Sequence, residues 1–394
     1  MLAPAALLSL LALCQQAQAW FVLQQTPLIS QRIDPIVNPG QEAAHVHSFV
    51  GVNTIQKTTS LSTLESAECT GSGVAVDKSA YWAPTLYAFD PAKKEFKKLK
   101  NTFTNTYYFN RLGPNQKSQK IQAYPKGLRF LSGESKATDF TADTRQQISF
   151  ECLLDVGQGS IKYQTLPSTY DNCKLGLRLQ IHLKSCYDGK PLDMNASDHS
   201  AHMAWAGAEN NGDCDPKFPV RLPSQFHEWV FDVQNLAPGS QLVLSNGDTV
   251  GYTFHVDFIS AWDTTVLANA MNDASCNDAG FDRAKCAPLK PHLQDDATKS
   301  ACPAKTILSV TEEIEGPMKG LPGCNRILNG PNVGQDTPNA CAPPLTAKYA
   351  SNTDTAPVTN TWMPAPTTAN AMLRRHKRET YTVIDAAITP PPEA

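Results

Sequence analysis

Apolar and polar residues alternate with a period of two along much of this chain. The clearest case is 177–183, where Leu177, Leu179, Ile181 and Leu183 are interleaved with Arg178, Gln180 and His182. That period predicts a strand with one face buried. Similar runs at 20–29, 104–111, 148–153, 228–232, 241–245 and 253–263 predict further strands, and Asn246-Gly247-Asp248 predicts a tight turn. An aromatic strand over 79–87 contains Pro84, which suggests an edge or a bulge and places Tyr81, Trp82 and Tyr87 at a rim. The lysine-rich stretch 93–100 around Phe96 reads as a solvated hairpin tip. Helical patterns are short and confined to 62–68 and 264–272. The fold these patterns predict is all-β, a jelly-roll-like antiparallel β-sandwich with long disulfide-tied loops and few short helices.

Cysteine usage and the chain's start add a compartment. Residues 1–19 carry a short apolar core and end in Ala17-Gln18-Ala19, the small-residue pattern of a cleaved secretory signal. Of eleven cysteines, Cys14 falls in this leader. The even number that remains, with no Cys-x-x-Cys pair, points to disulfides in an exported protein rather than to a zinc ribbon. No later apolar stretch is long enough to span a bilayer, so no membrane anchor is expected. A net charge of -3 gives no reason to expect nucleic acid as a partner. A secreted, extracellular monomer is the expectation, with Asn195-Ala196-Ser197 as a glycosylation sequon. The organisation reads as a β-sandwich domain over 20–275, a Cys-rich extension over 276–343 packed on it, and a disordered Pro/Thr-rich tail over 344–394.

Candidate chemistry centres on 32–51. Arg32 and Asp34 precede a turn built from Pro35, Asn38, Pro39 and Gly40, and His45 and His47 follow in a β-prone run. Two apart on a strand, both imidazoles would share a face. His255 and Asp257 repeat this spacing.

Laid end to end, the segments resemble a secreted, mostly fungal family, the domain of unknown function family numbered nineteen-ninety-six. The residues that carry the resemblance begin with Arg32-x-Asp34-Pro35-Ile36-Val37-x-Pro39-Gly40 and His45-x-His47-x-Phe49-x-Gly51. They continue through Lys78–Tyr87, Tyr124–Arg129, Cys186–Asp193, Asp198-His199-x-x-His202-Met203 and Arg221-Leu222-Pro223. Gly251-Tyr252-x-x-His255-x-Asp257-Phe258-Ile259-x-x-Trp262-Asp263 completes the set, with Leu321–Asn325 trailing. The resemblance implies a fold region and a compartment, and no reaction.

The polar residues of these motifs support several chemistries. His45, His47, His202 and His255 are candidate ligands for a divalent metal, as in a cupin-like metal-dependent enzyme. In a metal-free cleft, His47, His202, His255, Asp188, Asp257 and Asp263 are the candidate catalytic groups of a glycoside hydrolase or polysaccharide lyase. Arg32, Asp34, His45, Trp82, Arg129, His199 and Arg221 would then bind the substrate. The expected partner is a polysaccharide or cell-wall glycan. The rival to an enzyme is a non-catalytic carbohydrate- or wall-binding protein using the same His/Asp-lined cleft. Two carboxylates facing across a groove would favour hydrolysis, a histidine base beside an arginine elimination, and bound metal the cupin-like reading.

Overall fold

The computed structural model describes residues 19–302 and 312–330. Residues 1–18 of the expected leader and the whole expected tail lie outside these residues, while Ala19 opens the first strand.

Alternating patterns become two packed antiparallel sheets. Six strands form the larger, in the spatial order Ala19–Gln25, Asn101–Asn110, Ser224–Phe231, Gly176–His182, Ile148–Leu153, Ser160–Tyr163. Five form the second, in the order Ile29–Gln31, His47–Gly51, Ala80–Pro84, His255–Ile259, Arg129–Gly133. Leu177, Leu179, Ile181, Phe150, Trp229 and Tyr108 of the first sheet share one core with Val50, Tyr81, Val256 and Phe258 of the second. This is the antiparallel β-sandwich that the period-two runs predict. Two three-stranded sheets flank it, one of them the lysine-rich hairpin with its turn at 91–94.

The five-stranded sheet is buried on both faces. Its outer face, with Phe49, Ala80, Trp82 and Ile259, packs against Leu28, Ile33, Ile36, Ile55 and Leu64 from the long segment 28–64. Two-sided burial explains why Ala80–Pro84 reads as a nearly continuous apolar run. It also corrects the expectation for Pro84. The Ala80–Pro84 strand is central, flanked by His47–Gly51 and His255–Ile259, and Pro84 sits at its end, paired with His47. Tyr81, Trp82 and Tyr87 are therefore fully buried instead of forming a rim.

Four disulfides tie the loops: Cys69–Cys302, Cys152–Cys173, Cys186–Cys214 and Cys276–Cys286. Cys324 is disulfide-bonded as well. The first bridge spans 233 residues and fastens the Cys-rich segment to the loop covering the smaller sheet. Among the described residues, no helix is long and apolar enough to cross a membrane.

Candidate metal centre

The register of the five-stranded sheet builds the site row by row. Trp82 pairs with Phe49 on one side and Asp257 on the other. One row further on, His47 pairs with Pro84 and His255 with Gly133. Continuing the register two residues places His255 opposite Pro84 from the other side, so the proline separates the two histidines. His45 enters from the bend just before its strand. Between the two histidines the Val46 carbonyl accepts from the Thr85 N–H (3.0 Å) and the Ser245 hydroxyl (2.6 Å), which fixes the turn.

The three imidazoles converge. Ring centroids lie 4.3 Å apart for His45 and His47, 5.3 Å for His45 and His255, and 5.7 Å for His47 and His255. One nitrogen from each ring can be chosen so that all three lie within 4.8 Å of one another. They are closed off from solvent, with exposures of 7%, 0% and 2% in sequence order. The open cleft expected from the sequence is thus replaced by a buried cluster on the sheet's outer face.

Hydrogen bonds assign two of the tautomers. His47 Nδ1 lies 2.9 Å from the Ile33 carbonyl and His255 Nδ1 2.7 Å from that of Thr253. A carbonyl only accepts, so both Nδ1 atoms carry the proton and both Nε2 atoms present a lone pair. His45 Nε2 and His47 Nε2 have no hydrogen-bond partner. Burial, then His255 and Arg32, holds His45 well below the usual imidazole range. Burial, then His45 and His255, does the same to His47, and burial brings His255 down to about 4. All three rings are neutral at neutral pH, the protonation state that ligates metal.

Asp257 stands beside them. Its Oδ2 is 3.6 Å from His255 Nε2, beyond hydrogen-bonding distance, and neither carboxylate oxygen has a hydrogen-bond partner. Burial, then Asp34 and Asp198, pushes its pKa well up. With His255 neutral, the contact is no ion pair. The Trp82 indole N–H, in the Asp257 row, also lacks an acceptor. Orphaned buried polar atoms cost about 1–3 kcal/mol each. Five such atoms, on His45, His47, Trp82 and Asp257, gather in this part of the sheet.

Other candidates fall elsewhere. His202 stands outside the trio, which corrects its inclusion among the ligands: its Nδ1 lies 2.9 Å from Asp188 Oδ2, making a separate, part-exposed pair. His199 is saturated, its Nδ1 accepting from the Arg129 N–H and its Nε2 donating to the Asp193 carbonyl. Asp263 accepts from the N–H groups of Thr265 and Val266 and caps the helix Thr264–Asn272. Asp34 likewise accepts from Ile36 and Val37 in the turn, and burial raises its pKa to about 6. Arg32 pairs with Glu42 (2.5 Å) and Glu312 (2.6 Å). Arg221 is sealed against the Cys186–Cys214 disulfide, donating to the Asn210 and Gly212 carbonyls. Arg129 is buried, its Nε bonded to the Gly127 carbonyl at 3.4 Å, and Trp82 is wholly enclosed. Neither Arg221 nor Trp82 can touch a substrate in this arrangement, which removes both from the expected binding surface.

The molecule is thus a disulfide-tied antiparallel β-sandwich with a three-histidine cluster on its smaller sheet. The family model described as Domain of unknown function (DUF1996) matches residues 34–262, more than half of the chain, and the chain belongs to that family. The three histidines and Asp257 fall inside the matched region. No curated protein and no solved structure matches the chain.

Proposed function

We propose that this is an exported metal-dependent protein in which His45, His47 and His255 hold a divalent transition metal of the zinc or copper class. One observation carries the reading: three neutral imidazoles from two strands and a bend converge, and the Nε2 atoms of His45 and His47 have no hydrogen-bond partner. Imidazole sets of this kind suit zinc, copper, nickel and iron. The backbone carbonyls holding Nδ1 of His47 and His255 are the outer partners that orient a metal-bound histidine. Zinc–nitrogen bonds of about 2.0–2.1 Å would bring tetrahedral ligand atoms to about 3.3 Å separation. Side-chain adjustments of about 1.5 Å close the present spacing.

Asp257 is placed to balance the metal's charge or to complete its coordination. A three-histidine centre that keeps one position open activates water or a bound oxygen group. Hydrolysis or elimination at a metal-free cleft has less behind it, since His47 and Asp257 are out of reach of a polymer. Disulfides in four loops support export to an oxidising compartment.

The test is metal content after loading with zinc or copper and exhaustive dialysis. Wild-type protein should retain one equivalent, His47→Ala and His255→Ala should lose it, and His202→Ala should keep it. Absence of retained metal in the wild type, or equal loss in His202→Ala, would sink the reading.

A further inference from the structure

We propose that the Cys186–Cys214 bridge is a redox site that exchanges with a dithiol, independently of the metal centre. It ties the middle strand of a flanking sheet, Cys186–Tyr187 between Met203–Ala204 and Val220–Arg221, to the loop around Cys214. Little packs against it: its apolar cluster consists of the two cysteines and Ala206, with Ala204 and Phe218 alongside. Cys186 is wholly enclosed, whereas Cys214 is 7% exposed and followed by the exposed residues Asp215, Pro216 and Lys217.

Arg221 sets this bridge apart. Its Nη1 lies 3.4 Å from Cys214 Sγ and 3.6 Å from Cys186 Sγ. Nη1 also reaches the Gly212 carbonyl at 3.4 Å and Nη2 the Asn210 carbonyl at 3.3 Å, while Nε has no partner. Arg221 is 1% exposed, and among the described residues no carboxylate bonds it. The groups that face it are Arg111, which adds to the positive field, Asp213 and Tyr124. Asp213 is engaged elsewhere, accepting from the N–H and the Nδ2 of Asn115, and the Tyr124 hydroxyl donates to the Pro223 carbonyl. A buried cation with no bonded anion is costly. Among the described residues, none of the bridges Cys69–Cys302, Cys152–Cys173 and Cys276–Cys286 accepts from a charged side chain.

Reduction supplies the missing anion. A thiolate accepts a charge-assisted hydrogen bond more strongly than a neutral disulfide sulfur, so Arg221 favours the reduced pair. Exposure sets the order of events. One thiolate of the dithiol, its proton lost to solvent, attacks Cys214 Sγ and forms a mixed disulfide. The Cys186–Cys214 bond breaks, and Cys186 leaves as a thiolate beside Arg221 Nη1. A leaving sulfur whose thiolate is stabilised departs faster. The second sulfur of the dithiol, also deprotonated by solvent, then attacks its partner sulfur and expels Cys214 as a thiolate. Two electrons have passed to the protein, and the dithiol ends as its own disulfide.

Graded dithiothreitol at neutral pH, followed by alkylation and peptide mass mapping of the full chain, tests this. Cys186 and Cys214 should be alkylated at concentrations that leave the Cys69–Cys302, Cys152–Cys173 and Cys276–Cys286 bridges intact. Arg221→Met should raise the concentration required about tenfold, which is about 30 mV for a two-electron couple. A purely structural arginine would do the opposite, since its loss loosens the loop and eases reduction. Should Arg221→Met fail to fold, the wild type alone decides: a brief pulse of glutathione should leave its adduct on Cys214 and none on Cys186. Reduction of this bridge together with or after the other three, an adduct on Cys186, or unchanged or easier reduction in Arg221→Met would overturn the proposal.

Discussion

A histidine in this protein takes its role from what faces it, and neighbouring strands show the contrast. His227 lies between the two sheets, its Nε2 donating to Gln225 Oε1 at 2.8 Å and its ring 5.5 Å from Tyr81. Burial lowers its pKa to about 3. The unfolded chain therefore binds a proton between about pH 3 and 6.5 that the folded chain does not. The sign follows directly. Stability contributed by neutral His227 is complete above pH 6.5 and declines as pH falls through that window, by up to about 1.4 kcal/mol per pH unit. Denaturant titrations from pH 7 to 4 should show His227→Gln with a shallower slope than wild type by about one proton. Equal slopes would mean that His227 is already protonated in the fold. His45, His47 and His255 share this burial, yet they converge on one another and the Nε2 atoms of His45 and His47 lack any partner, and that separates a ligand set from a packed ring.

At the scale of elements, Asp263 shows how a motif residue can serve structure alone. The helix Thr264–Asn272 begins where its Oδ1 accepts two N–H groups. Replacing Asp263 with Ala should cost about 1 kcal/mol, with Asn costing much less, and neither variant should change metal content. A large loss of metal in Asp263→Ala with the melting temperature unchanged would return this residue to the site. Helix limits at 264–272 were legible from the sequence, as was the strand at 177–183, because local pattern and burial agree there. The outward set of Arg178, Gln180 and His182 was legible too. What it faces was not, since Glu151, Asn105 and Glu228 join it only through strand pairing distant in sequence. The pairing of His45 and His47 could be read from their spacing. That His255 joins them and His202 does not depends on which strands flank Pro84, which no local pattern specifies. Trp82 was misread as exposed because Pro84 within an aromatic run suggests an edge strand, and Arg221 because nothing local in the sequence reveals the Cys186–Cys214 disulfide it packs against.

Across the whole molecule, the cluster is closed by a clamp assembled from distant parts of the chain. Arg32 holds the loop above the histidines, donating to the Ala43 carbonyl and pairing with both Glu42 and Glu312. Asn325 adds a bond to the Ala44 carbonyl at 2.8 Å, and the Ile33 carbonyl of the same loop receives His47 Nδ1. The 312–325 segment thus fastens the cover of a site whose ligands all lie before residue 256. This arrangement separates access from affinity. Arg32→Gln removes both ion pairs without touching a ligand, and part-exposed pairs of this kind contribute about 1 kcal/mol. That loss raises the population of the open loop about fivefold. Chelator stripping of loaded Arg32→Gln should accelerate by that factor while the metal bound at saturation stays the same. Amides at 33–47 should exchange faster in step with it, a readout that holds with or without metal. A variant that strips at the wild-type rate although those amides exchange faster would place the metal's exit route elsewhere than beneath this loop.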